Sequence, residues 1–145
     1  MKILELQLLA YGPFTGEVLD LSAGASGLHL IFGPNEAGKS SALKALTNLL
    51  YGIPQQNDDD FLHSYKNMRI GAVLRGADGD VLECIRRKGN SRTLRGADDA
   101  AVVDEERLKS LLAGVDQATF TRRFGISYEF LVRGGKEIVE GGGEL

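Results

Sequence analysis

From Ile3 to Leu9 the chain reads Ile-Leu-Glu-Leu-Gln-Leu-Leu, and this alternation predicts a half-buried strand. Tyr11-Gly12-Pro13-Phe14 predicts a turn, and residues 17–21 a second short strand. A Gly/Ser/Ala turn over residues 22–27 precedes Leu28-His29-Leu30-Ile31-Phe32, which reads as a buried strand ending at Gly33. Ala42, Leu43, Ala45, Leu46, Leu49 and Leu50 then fall on one face of a helix, which Gly52-Ile53-Pro54 stops. Residues 55–67 are polar and include Asp58-Asp59-Asp60, the pattern of a solvated surface loop.

Residues 69–75 and 80–88 read as a β-hairpin across Gly76-Ala77-Asp78-Gly79, with a short third piece at residues 92–94. Asp104 can cap a helix in which Leu108, Leu111, Leu112 and Val115 share a face. Phe120 and Phe124 continue helically, and residues 125–132 read as a final strand. Residues 134–145, with Gly134-Gly135 and Gly141-Gly142-Gly143, read as a tail that follows a domain over residues 1–133. The fold class is α/β, with an antiparallel hairpin or meander joined to a mostly parallel core in a mixed sheet.

At 145 residues the chain can bury a real core. A hydrophobic fraction of 43% with 26% charged residues describes a globular chain rather than a disordered one. The net charge of −3 supplies no global attraction for nucleic acid, so any such contact needs a local patch. The lone cysteine, Cys84, lies between Glu83 and Ile85 in a strand-like run and reads as packing. Lys2 and Glu5 interrupt any signal-peptide core, and no apolar run approaches the roughly 18 residues that span a bilayer. The expectation is a cytoplasmic protein with no membrane partner.

Gly33-Pro34-Asn35-Glu36-Ala37-Gly38-Lys39-Ser40 satisfies G-x-x-x-x-G-K-[ST] at every defined position. Backbone N–H groups must curl around a phosphate, and glycine takes the torsions without a side chain in the way. The helix that follows presents its N-terminal donors to the same anion. Lys39 then serves the β- and γ-phosphates of ATP, and the Ser40 hydroxyl serves Mg²⁺. A chance match in a chain this glycine-rich is on the order of one in a hundred, and the predicted strand-loop-helix context lengthens those odds further.

Residues 33–41, ending in Ser41, together with Ala10-Tyr11-Gly12-Pro13-Phe14 near a Met1 start, resemble the YhaN-like AAA proteins. Those belong to the wider SMC, RecF and RecN class of DNA-repair ATPases. Leu50-Tyr51-Gly52-Ile53-Pro54, His63-Ser64-Tyr65 and residues 120–135 match as well, so the resemblance covers essentially the whole chain. It implies a split P-loop ATPase whose first lobe supplies the phosphate loop and leads to a long coiled coil. It also implies a C-terminal lobe carrying the signature and Walker B motifs, a second head joined through ATP, DNA binding or repair, and a nuclease subunit as a further partner.

Two stretches mimic the motifs assigned to that other lobe. Ala101-Val102-Val103-Asp104-Glu105 resembles a Walker B strand, yet Glu106-Arg107 follow at once and the acids suit a helix N-terminus. Leu21-Ser22-Ala23-Gly24-Ala25 resembles an ABC-type signature but reads as a strand-to-strand turn. No glutamine lies beyond Phe120 to sense the γ-phosphate; Ser127, Tyr128 and Glu129 are the nearest polar candidates, and a plain surface strand accounts for them equally.

Arg86, Arg87 and Lys88, with Arg92 and Arg95, form a basic cluster that would contact DNA phosphates or the nucleotide, or else keep a solvated hairpin edge from pairing. His29 and His63 have no ligand-spaced partners. A GTPase would need Asn-Lys-x-Asp and Asp-x-x-Gly after the loop, and neither string occurs; a kinase would need a substrate pocket and an arginine-rich lid, and the hairpin is poorly placed to be that lid. The alternatives to the split ATPase are a small freestanding P-loop NTPase or kinase, and a nucleotide-responsive interaction domain without turnover.

Overall fold

The computed structural model describes residues 1–23, 28–125 and 128–139. These fall into two compact units, Met1–Gly114 and Val115–Leu145. The first is built on a five-stranded sheet of β1 (Lys2–Tyr11), β2 (Phe14–Asp20), β3 (Arg69–Arg75), β4 (Val81–Arg87) and β5 (Leu94–Arg95). The order is β2-β1-β3-β4-β5, and every pairing in it is antiparallel. This corrects the expected parallel core. Short turns join β1 to β2 and β3 to β4, which makes each pair antiparallel. The chain that returns after its one long excursion lays β3 antiparallel to β1 as well.

Residues 28–32 supply the second correction. They join no strand, and Leu28, Leu30, Ile31 and Phe32 are 85%, 85%, 50% and 86% exposed. An apolar run enters a sheet only where a partner edge stands beside it, and among the described residues none does.

Helix α1 (Lys39–Tyr51) lies against β1, β3 and β4, burying Ala42, Ala45 and Leu49 along one stripe. The register sets Leu6 beside Ala72, Ala72 beside Cys84, and Leu74 beside Leu82, and all of these are nearly free of solvent. Each such leucine contributes about 1.5–3 kcal/mol through burial. Gly52 ends α1 at φ 99°, donating its N–H to Asn48 O at 2.9 Å. Helix α2 (Glu105–Leu112) closes the unit, with Leu108 and Leu112 buried.

The second unit holds α3 (Gln117–Arg123) and α4 (Tyr128–Val139). The strand expected over residues 125–132 is therefore helical from Tyr128 onward. Tyr128, Leu131 and Val132 stand at positions i, i+3 and i+4, and a short apolar run of this kind fits either period. The helix continues through Gly134 and Gly135, where a tail was expected, although each glycine costs about 0.8–1.0 kcal/mol relative to alanine. Among the described residues, no helix is long and apolar enough to cross a membrane.

Candidate functional site

The loop over residues 33–38 leads directly into α1. Glu36 takes φ 67°, a conformation usually left to glycine, and the Ala37 N–H bonds Pro34 O at 3.3 Å, so the loop folds back on itself. Gly38, the N-cap of α1, sits at φ 86° and ψ 9°. A Cβ there would lie 2.5 Å from Cζ of Phe14, so both the torsion and the neighbour require glycine.

Helix α1 opens with no side-chain cap and no acidic residue in its first turn. Helices α2 and α3 differ: Asp104 accepts from Glu106 N at the start of α2, and Asp116 from Thr119 N at the start of α3. The leading N–H groups of α1 are thus left for something other than a side chain. Lys39 Nζ donates to Gly33 O at 2.8 Å and Pro34 O at 2.7 Å, which holds a cation across the mouth of the loop. Asn35, Glu36, Ala37, Lys39 and Ser40 are exposed, so the side of the loop away from Phe14 is open. A cation, a serine hydroxyl and uncapped helix donors around an open loop fit a polyphosphate carrying a divalent ion.

Behind the loop lies an arrangement that the sequence reading missed. Tyr11, fully buried at the end of β1, donates its hydroxyl to Asp59 Oδ2 at 2.8 Å and accepts from Asn48 Nδ2 at 2.6 Å. Lys44 Nζ meets the same Asp59 oxygen at 2.6 Å, and the Gly12 N–H donates to the Asp59 carbonyl at 3.1 Å. Burial first, then the adjoining Asp59 carboxylate, holds the Tyr11 phenol far above its ordinary range, so it stays a donor. His63 Nε2 donates to Phe14 O at 2.7 Å and lies 3.0 Å from Thr15 Oγ1. The motif pieces at residues 10–14 and 63–65 therefore meet around Phe14 (the ring that backs Gly38). Asp59 corrects the reading of residues 58–60 as simply solvated, because it is 7% exposed.

The basic cluster is engaged within the fold. Arg86 is 2% exposed; its Nε donates to Leu49 O at 2.9 Å, its Nη1 to Thr93 Oγ1 at 3.0 Å, and both Nη groups to the Glu105 carboxylate. It thereby ties the end of α1 to the start of α2. Arg87 and Arg69 share Asp99 at 2.6 and 2.9 Å. Lys88 donates to the Pro54 and Gln55 carbonyls and lies 4.5 Å from the centre of the Tyr65 ring. Arg86 leaves no outward cation for DNA or nucleotide, which corrects the expectation for that residue; Arg87 and Lys88 have internal partners too.

Asp104 and Glu105, the mimic of a Walker B pair, are an N-cap and the partner of Arg86. Leu21, Ser22 and Ala23 open no helix, and Ser22 instead closes a turn on Asp20 at 2.6 Å; Gly24 and Ala25 lie outside the described residues, as does Ser127. Tyr128, at the start of α4, is 80% exposed. Cys84 is buried as packing, and burial pushes its thiol up to about 11. Among the described residues no group of His, Cys, Asp and Glu side chains is gathered to hold a metal.

The AAA domain family matches residues 1–145. The chain is also similar to a Bacillus subtilis (strain 168) protein, Uncharacterized protein YhaN, at 29% identity over 142 residues, covering 95% of this chain. It spans only 14% of the length of that relative.

Proposed function

Since this chain belongs to the AAA domain family, we propose that it binds ATP-Mg²⁺ through the loop over residues 33–40 and serves as the N-terminal lobe of an SMC-like ATPase head. The observation that carries the reading is the open loop running into an uncapped α1, with Lys39 resting on the Gly33 and Pro34 carbonyls. Lys39 exchanges those carbonyls for β- and γ-phosphate oxygens; the backbone amides of the loop and of the first turn of α1 hold the same phosphates. Ser40 offers its hydroxyl oxygen to the ion, and Ser41 continues the turn. Bound Mg²⁺ would neutralise phosphate charge as the γ-phosphoryl group leaves.

The half-head assignment has separate support. The exposed apolar segment at residues 28–32, immediately before the loop, suits strands supplied by another lobe. Asp104 and Glu105 are occupied as a cap and an ion pair, so the water-activating carboxylate belongs elsewhere. The small share of the relative's length leaves ample chain for a coiled coil and a second lobe. On this reading ATP joins two heads, and their closure is coupled to DNA binding or repair in the cytoplasm, with a nuclease subunit as a further partner.

A second reading concerns the chain by itself. With Asp104 and Glu105 already engaged, it acts as a nucleotide-responsive interaction domain with turnover near background, since phosphoryl transfer needs positioning and electrostatics together. Calorimetric titration of ATP-Mg²⁺ into the parent chain and Lys39→Ala tests the site. Saturable binding by the parent that the variant loses supports it, and equal affinities for the two would overturn it. Turnover of order 1 s⁻¹ or more that vanishes with Glu105→Gln would refute the half-site assignment.

A further inference from the structure

The sequence places Asp59 in a polar run of three acids, yet this carboxylate alone turns inward and draws three segments together. Its side chain is 11% exposed, while that of Lys44, its cationic partner on α1, is 46% exposed. Oδ2 takes the Tyr11 hydroxyl and Lys44 Nζ, and the backbone carbonyl takes the Gly12 N–H. Asn48, one turn beyond Lys44 on α1, completes the link by donating to the Tyr11 oxygen. Charge-assisted bonds of this kind are short and strong, and burial keeps water from competing for them.

The consequence lies one residue beyond the turn. Gly12 itself stands against α1, where a Cβ would come 3.8 Å from Ser41 Cβ. The same turn delivers Phe14 onto Gly38, the residue at which the loop becomes helix. We propose that Asp59 is a positioning residue for the phosphate loop: by fixing Tyr11 and Gly12 to α1, it holds Phe14 behind Gly38 and so sets the direction of the amides at Gly38, Lys39 and Ser40. Asp59 touches no ligand; it acts through Phe14. The inference rests on the nucleotide-binding reading above.

Its test uses the full chain and ATP-Mg²⁺ in calorimetry, at a temperature where circular dichroism shows every variant folded. Asp59→Asn removes the charge that holds Lys44, and Tyr11→Phe removes the hydroxyl while leaving the ring. Each is expected to weaken binding by about tenfold or more, the size seen when outer partners that orient a binding group are removed, and Asp59→Glu is expected to recover part of the loss. Asp99→Asn breaks two comparable ion pairs, with Arg69 and with Arg87, and is expected to leave the affinity unchanged. Should Asp59→Asn fail to fold, Tyr11→Phe decides the matter alone. Parent-like affinity in Tyr11→Phe, or in a folded Asp59→Asn, overturns the inference while leaving the nucleotide site standing; a parent chain that binds nothing overturns both.

Discussion

Replacing Gly38 by alanine perturbs the loop in two ways that the structure separates. At φ 86° an L-residue pays about 1–2 kcal/mol for the left-handed conformation. The new methyl carbon would also stand 2.5 Å from Phe14 Cζ, so the ring or the loop must move by about 1 Å to restore a normal carbon contact. Forced overpacking of this sort adds about 1–3 kcal/mol. The sum, about 2–5 kcal/mol, is a large share of a typical domain's stability yet need not unfold it. Urea denaturation followed by circular dichroism would compare the parent, Gly38→Ala, Phe14→Ala and the double variant. Truncating Phe14 removes the collision and leaves the torsion, so Gly38→Ala should cost only about 1–2 kcal/mol in the Phe14→Ala background. A cost for Gly38→Ala that is the same with and without the Phe14 ring would refute the contact as the reason for glycine here.

Other predictions concern the body of the domain. Burial alone would raise the Asp99 pKa, but the Arg87 and Arg69 bonds outweigh it and hold the carboxyl below its ordinary value. A depressed folded value stabilises the fold above the unfolded pKa, and that share is lost as pH falls through the folded value. Thermal melts of the parent should therefore decline below about pH 4, with a shallower decline in Asp99→Asn; identical slopes would contradict the pairing. Cys84, with its thiol pushed up to about 11 by burial, should resist a thiol reagent at pH 8 until denaturant is added. Rapid labelling of the folded protein would show that β4 is not packed as described.

Local pattern made much of this domain legible. The alternation of β1, the Gly76–Gly79 turn, the amphipathic run of α1 and the Asp104 cap each specify their element within a few residues. Strand pairing is not local, and the buried strand expected at residues 28–32 failed because no free edge among the described residues receives it. Arg86 was readable in principle: Leu82, Cys84 and Arg86 share one phase of β4, and that phase faces inward. Its charge argued for the surface, and the Leu49 carbonyl, the Thr93 hydroxyl and the Glu105 carboxylate show how a buried guanidinium is satisfied. Asp59 carried no such hint. Nothing in three consecutive acids tells which one finds a tyrosine hydroxyl 48 positions away.

The most direct test is a crystal structure of the chain grown with magnesium and a non-hydrolysable ATP analogue. The account predicts triphosphate density enclosed by the amides of residues 33–40, the Ser40 hydroxyl beside the ion, and Lys39 moved from the Gly33 and Pro34 carbonyls onto phosphate. Nucleotide bound at some other surface, with Lys39 still on those carbonyls, would contradict it.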